Sequence, residues 1–270
     1  MNYYNEFDKG AADTLRNLIS AGLIPRGEVD SRSICDVSPS DLKGFTQHHF
    51  FAGIGGWSLA LQLAGFPEDE PIWTGSCPCQ PFSIIGEKRG TDDPRHLWPT
   101  WFELIKECRP ARVVGEQVAS SDALDWLDGV HTDMEGADYA FAASDLCAAG
   151  VGAPHIRQRL YWLGDAQFTG LEGHRGYGPA IGSTQAPGPD SSTGSGCVQS
   201  LQRAGTRGSP WDQYDALPCS DGWRRVRPGS FPLATRLSSR MARLHQIGNA
   251  IVPHLAAQFI RAAFPLLTRY

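Results

Sequence analysis

Ser76-Cys-Pro-Cys-Gln-Pro-Phe-Ser83 sets two thiols directly behind an apolar strand pattern. The end of a parallel strand is the edge where open α/β sheets hold their active sites. A thiol there becomes a nucleophile when a nearby positive charge or helix start lowers its pKa. Cys77 and Cys79 also read as half of a metal site or as buried thiols, although a lone C-x-C without matching partners is a poor metal signal. Phe51-Ala-Gly-Ile-Gly-Gly56 follows a strand and opens a helix. Its glycines let a ligand approach the backbone, and the free N–H groups of a helix start favour a carboxylate or phosphate; a tight strand–helix turn is the plainer reading. Glu116, Arg157, Arg159 and Asn249 are the other polar candidates. Taken singly they read as a surface acid, two strand-end cations and a helix N-cap. His48 and His49 are read as strand positions flanking a core rather than as metal ligands.

A series of strand–helix units must position these groups. Strands are expected at Met1–Asn5, Glu28–Ile34, His48–Ala52, Pro71–Gly75 and Arg112–Val114, and late ones at Tyr139–Ala142 and Leu160–Leu163. Helices are expected at Lys9–Ala21, Trp57–Ala64, Trp98–Glu107 and Ala123–Leu127, with a turn or two of helix at Ser38–Lys43 capped by Ser38. From Leu244, Ile251, Leu255, Phe259 and Ala262 share a helical face. This alternation predicts a mostly parallel, doubly wound sheet.

With 270 residues, 41% of them hydrophobic and 20% charged, the chain suits one domain or one plus an appendage, and global disorder is excluded. No apolar run reaches the ~20 residues that span a bilayer. The opening MNYYNEFDKG does not read as a secretory signal, and seven cysteines without repeated spacing fit reduced thiols in a cytoplasm. The net charge of −5 argues against binding a polyanion by bulk charge. Residues 166–240 differ. They are rich in Gly, Ser and Pro and read as a loop or partly disordered insert. They hold eight arginines against five acids, a surplus of three positive charges that leaves −8 for the remainder.

FAGIGG, PCQPFS, Glu116-Gln-Val118, Arg157-Gln-Arg159 and Gln246-Ile-Gly-Asn-Ala250 occur in that order. Together they resemble the DNA (cytosine-5) methyltransferases, over most of residues 1–165 and 244–262. The resemblance implies a Rossmann-like, S-adenosylmethionine-dependent methyltransferase sheet in the α/β class, with a small irregular target recognition region at 166–240 and a return to the core at 241–270. It implies methyl transfer to C5 of cytosine in double-stranded DNA. Cys79 would be the nucleophile that adds at C6. Glu116 would be the acid on the N3/N4 edge. Arg157 and Arg159 would hold the base carbonyl and a phosphate and help ionise Cys79. The reacting base must be flipped out of the duplex. Ser83–Trp98, with Gly86, Gly90 and Arg95, resembles the loop that closes over it, and Gln80, Ser83 and Arg95 are implied DNA contacts. Phe51, Ala52, Gly53, Ile54, Gly55, Gly56 and Asn249 would bind the cofactor. No metal is implied.

One spacing departs from the family. Gly56 and Cys79 are only 23 positions apart, where two further strand–helix units usually stand. Asn5-Glu-Phe-Asp8 and Val29-Asp-Ser-Arg-Ser-Ile34 resemble the missing second and third motifs, placed ahead of the first. This predicts a circular permutation, with strands two and three at residues 1–35. Glu6 would then bind the ribose hydroxyls, Phe7 and Phe51 would pack on the adenine, and Asp30 would meet its amino group. As plainer readings, Glu6 and Asp30 are helix-start and turn acids. Gln117 stands where the family has Asn, and His155 where it has Gln.

Arg224, Arg225 and Arg227 are the candidates for base readout in the insert, with phosphate contact or solvation as the simpler reading. Trp211, Trp223 and Phe231 would give that region a small core. A region this short implies a short target sequence. The implied setting is a monomer in the cytoplasm of a prokaryotic or infected host cell. It would act alone in viral self-protection or beside a cognate restriction endonuclease. Alternatives are a tRNA cytosine-5 methyltransferase, a catalytically inactive DNA-binding homologue, and a Rossmann-type oxidoreductase, whose G-x-G-x-x-G the glycine turn does not match.

Overall fold

The computed structural model describes residues 1–78, 97–167 and 248–268, together with the strands at 215–219 and 222–226. The chain divides into two compact units, residues 1–168 with 234–270, and residues 169–233. The larger unit is built from β1 (Asn2–Asn5), α1 (Lys9–Ser20), β2 (Gly27–Asp30), β3 (Gln47–Phe50), α2 (Gly56–Ala64), β4 (Ile72–Gly75), α3 (Trp98–Cys108), β5 (Arg112–Val118), α4 (Ser121–Gly136), β6 (Ala140–Cys147), β7 (Gln158–Asp165) and α5 (Pro253–Ala263). Seven strands form one sheet in the order β2-β1-β3-β4-β5-β7-β6. The first five are parallel, and β7 runs antiparallel between β5 and β6.

Strand alternation sends neighbouring side chains to opposite faces, and each face meets its own helices. Tyr4 and Ala52 pack with Leu15 of α1 and Ile24, flanked by Leu18 and Leu59. Tyr3, Phe50, Val113, Leu160 and Trp162 face the other way, against Trp98, Trp101, Trp126, Val130 and Met134 of α3 and α4. The sheet is therefore doubly wound. Two glycines admit the large rings of this second layer. A Cβ on Gly75 would lie 2.5 Å from Trp101, and one on Gly115 would lie 2.2 Å from Trp162. On the first face α5 leans on α2, where a Cβ on Gly56 would come within 2.7 Å of Ile251.

Several elements differ from expectation. The strand expected to reach Ile34 ends at Asp30, whose carboxylate accepts the Arg32 N–H at 2.9 Å and turns the chain. A short 3-10 turn at Ile34–Asp36 follows, capped by Ser33. Ser38–Lys43 is not helical. The Asp41 carboxylate takes both the N–H and the O–H of Ser38 at 2.8 Å, closing a turn instead. The helix expected at Ala123–Leu127 extends over Ser121–Gly136, with Ser120 as N-cap. The last helix starts at Pro253, a residue whose missing N–H costs nothing in a first turn; Leu244 lies outside the described residues. In the smaller unit the insert is not all loop: β8 (Asp215–Cys219) and β9 (Gly222–Val226) pair antiparallel. Among the described residues no helix is long and apolar enough to cross a membrane.

Candidate active site

The chain leaves β1 toward β2 and leaves β3 toward β4, in opposite directions along the sheet. Such a reversal marks the crevice beyond the strand carboxyl ends where open α/β sheets bind ligands. Glu6 follows β1 there, and Phe51–Gly55 follow β3. The two ends are joined: the Ala52 N–H donates to the Asn5 carbonyl at 3.0 Å, and the Gly53 N–H donates to Glu6 Oε2 at 2.7 Å. Glu6 Oε1 accepts the Asp8 N–H at 2.8 Å. Burial pushes the Glu6 carboxyl up, against the pull of these two amides. Gly53 and Gly55 are left-handed, at φ 55° and 82°, and Phe51 shares that conformation at φ 49°. A non-glycine residue held there stores roughly 1–3 kcal/mol of strain, a feature that concentrates at functional sites. The Phe51 ring is held edge-on against Trp101, 5.8 Å between centroids.

This corner fits a nucleoside. Glu6 offers acceptor oxygens for a diol, and Phe7, 72% exposed beside it, offers an apolar face. Asp30 is less open than the sequence suggests. Its oxygens accept from Tyr3 Oη at 2.7 Å and from Arg32 N, Nε and Nη2 at 2.7–3.1 Å, close to a carboxylate's full acceptor capacity. Burial acts to raise its carboxyl, but the Arg32 and Tyr3 hydrogen bonds outweigh burial and hold it below the usual range. Asn249 is exposed, two residues before the Ile251 side chain that meets Gly56.

The second cluster gathers where β4, β5 and β7 lie side by side. Glu116 is buried in β5, and its Oε1 is 2.9 Å from Arg159 Nε. Ser76, just past β4 and one step beyond the Gly75–Gly115 pair, lies beside the same carboxyl and acts to lower it. Burial raises the Glu116 carboxyl, opposed by Arg159, Ser76 and Arg157, so the site favours a protonated acid with cations close by. Arg157 also carries a structural task. Its Nη2 donates to the carbonyls of Gly248 and Ala250, at 2.7 and 2.9 Å, tying the 248–250 turn to the approach to β7. Gln117 takes over backbone ordering despite the change from Asn. Its Nε2 donates to the Cys77 carbonyl at 3.0 Å, and its Oε1 accepts the Val118 N–H at 2.8 Å.

The structure thus brings Glu6 to the glycine turn and Glu116 to Arg159. Cys79, Gln80, Ser83, Arg95 and Arg227 lie outside the described residues; Arg224 and Arg225 are consecutive positions of β9, paired with Leu217 and Ala216. His48 and His49 are core residues. His48 Nε2 lies 2.9 Å from the Leu42 carbonyl and His49 Nδ1 2.7 Å from Thr74 Oγ1. Among the described residues no group of three His, Cys, Asp or Glu side chains is placed to hold a metal ion. Sequence reasoning missed Ser76 and Trp57, whose indole Nε1 donates to Ser76 Oγ at 3.2 Å. No spacing rule links positions 57, 76 and 116; only the sheet does.

Type II methyltransferase M.HhaI of Haemophilus parahaemolyticus is 29% identical over 167 residues, 47% of this chain and 51% of that protein. Type II methyltransferase M.AquIA of Picosynechococcus sp. is 31% identical over 113 residues, 37% of this chain and 45% of that protein. The chain spans about half the length of these curated relatives. Among solved structures, the S. pombe Dnmt2 methyltransferase aligns at 14% identity with a TM-score of 0.40, over 63% of this chain and 52% of that one. A family profile described as C-5 cytosine-specific DNA methylase matches residues 66–175, the stretch holding Ser76, Glu116, Arg157 and Arg159. Over these stretches the chain is similar to the C-5 cytosine-specific DNA methylases.

Proposed function

We propose that this chain transfers a methyl group from S-adenosylmethionine to C5 of cytosine in double-stranded DNA. The observation that carries the reading is Glu116. It is a buried carboxyl biased toward its protonated form, with Arg159 and Ser76 beside it; Ser76 stands three positions before Cys79, and the family match covers all four residues. Cytosine C5 is a weak nucleophile. Addition of the Cys79 thiolate at C6, with a proton passing from Glu116 to N3, turns the ring into an enamine whose C5 takes the methyl. The sulfonium cofactor supplies that methyl as an electrophile. A base, with water as the simplest candidate, then removes the C5 proton. The C6–S bond breaks, Cys79 leaves as thiolate, and the N3 proton returns to Glu116. Stacked in a duplex, C6 is out of reach of a thiol, so the base is flipped out.

In this reading Glu6 holds the ribose hydroxyls and Phe7 lies on the adenine, with the glycine turn beneath. Asp30, its oxygens taken by Arg32 and Tyr3, braces that edge. Sheet order supports the rearranged motifs: β1 and β2 lie on the far side of β3, while β3 leads straight through α2 to β4. It favours a local exchange, the first motif moved behind the second and third, over a rotation of the whole chain. Residues 166–240 would read the target, with Arg224, Arg225 and Arg227 as candidate contacts.

The test is transfer of labelled methyl from S-adenosylmethionine to unmethylated duplex DNA and, in parallel, to tRNA. Label on DNA that disappears with Cys79→Ala is the expected result. Label on tRNA alone would replace the substrate, and label that survives Cys79→Ala would overturn the covalent mechanism.

A further inference from the structure

Trp57 is the second residue of α2, directly behind the glycine turn. It is 3% exposed, and its indole N–H donates to Ser76 Oγ at 3.2 Å. An indole nitrogen can only donate, so Ser76 must accept from Trp57, and its own proton is left to point elsewhere. The group beside it is the Glu116 carboxyl, one step past the Gly75–Gly115 pair of β4 and β5, and the hydroxyl acts to lower that carboxyl. Arg159 holds Oε1 of that carboxyl from the other side. A directed chain therefore runs from the helix of the cofactor corner, through one hydroxyl, to the acid of the reaction.

We propose that Ser76 is a positioning residue: oriented by Trp57, its hydroxyl fixes the Glu116 carboxyl and ties the acid's placement to the helix that follows the glycine turn. The inference rests on the proposed methyl transfer, with Glu116 as the acid. Two physical consequences follow. A hydroxyl donating to a carboxylate stabilises the ionised form, so losing it leaves Glu116 protonated to higher pH. A carboxyl held at fewer points also presents its proton less often in line with N3. Ser76→Ala should therefore slow the chemical step while moving the alkaline limb of the rate profile upward. Trp57→Phe keeps the aromatic packing but frees the Ser76 hydroxyl to rotate, and should move the limb the same way by less.

The experiment is the pH dependence of kcat for methyl transfer from S-adenosylmethionine to unmethylated duplex DNA. Wild type, Ser76→Ala, Ser76→Thr, Trp57→Phe and Glu116→Gln are compared. Expected are a roughly 10-fold lower kcat for Ser76→Ala, the size of one lost hydrogen bond to a charged group, an alkaline limb at higher pH, an unchanged KM for the cofactor, and recovery of both rate and limb in Ser76→Thr. A limb that stays at its wild-type pH in both Ser76→Ala and Trp57→Phe overturns the inference, whatever happens to kcat. If Ser76→Ala does not fold, Trp57→Phe decides alone. A limb absent from Glu116→Gln but unmoved by the Ser76 and Trp57 changes removes this inference and leaves the acid role of Glu116 standing. A limb shared by wild type and Glu116→Gln removes both.

Discussion

Glu6 and Glu116 both sit at the carboxyl edge of the sheet, and burial raises both; their neighbours differ in kind. Glu6 is held by two backbone amides, from Asp8 and Gly53, and no cation among the described residues pairs with it. Glu116 is held by side chains: a guanidinium, a serine hydroxyl and, further off, a second arginine. Amide donors are neutral and leave a carboxylate free to accept a ligand's hydroxyls as well. Arginine and serine fix both the charge and the direction of the carboxyl. In the proposed mechanism the same residue type is thus a ligand holder at the cofactor corner and a proton holder beside β7.

Substitution separates the two roles. Glu116→Gln, which keeps shape but has no acid proton, should lower kcat by ~10²–10⁴-fold and leave cofactor affinity intact by calorimetry. Glu6→Ala should do the reverse, weakening cofactor binding by ~10–100-fold with little loss of kcat at saturation. If both variants lost affinity, or both lost only kcat, the division between the two ends would fail.

The regions beneath the two sites also differ, and pH exposes the difference. Under the cofactor corner the strands are stitched by buried polar groups: Asn2 Nδ2 donates to Gln47 Oε1 at 3.2 Å, and His49 meets Thr74 at 2.7 Å. Burial pushes the His49 imidazole down to about 3, from 6.5. The folded state therefore refuses a proton that the unfolded chain accepts. Stability linked to His49 is present above pH 6.5 and is lost as pH falls from there toward 3, by about 1.4 kcal/mol per unit. Glu116 works with the opposite sign. Its raised carboxyl keeps a proton that the unfolded chain gives up near 4.5, so its contribution is greatest in acid and declines as pH rises past that value. Urea midpoints from pH 7 to 4.5 should fall more steeply for wild type than for His49→Gln. Equal slopes would show that His49 does not titrate across folding. The smallest effect concerns Gln117. Gln117→Asn shortens the reach to the Cys77 carbonyl by one methylene and should cost kcat roughly threefold, about half a hydrogen bond. An unchanged rate would show that the tie is not needed for catalysis.

Much of this was legible in the residues. The glycine turn, β1, β3, α2 and the early parallel strands lie where short apolar runs and punctuation put them. The length of α4 was also available in principle. Ala123, Trp126, Leu127, Val130 and Met134 are all buried and recur at helical spacing, across a Gly129 that is a poor helix former. β6 and β7 were harder, because antiparallel insertion of β7 between β5 and β6 leaves no local mark. At the site, Glu116 and Arg159 were found through their motifs. Ser76 and Trp57 were not, since their contact exists only once β4 and α2 are side by side. Asp30 was placed at the right strand end, but nothing local reveals that Tyr3, 27 positions away, would take one of its oxygens.

The strand order bears on how this sheet is made. β2 joins β1 first, β3 then adds to the open side of β1, β4 to β3, and β5 to β4. From β3 onward, each strand emerging from the ribosome, where the N-terminal part leads, finds its partner already waiting on the same growing edge. Among the described strands, none has to wedge between two that are already bonded. The queue breaks once, at the far end: β6 is synthesised before β7 but can dock only through it. β6 must wait unpaired for the few seconds, at most, that ribosomes take to add its partner.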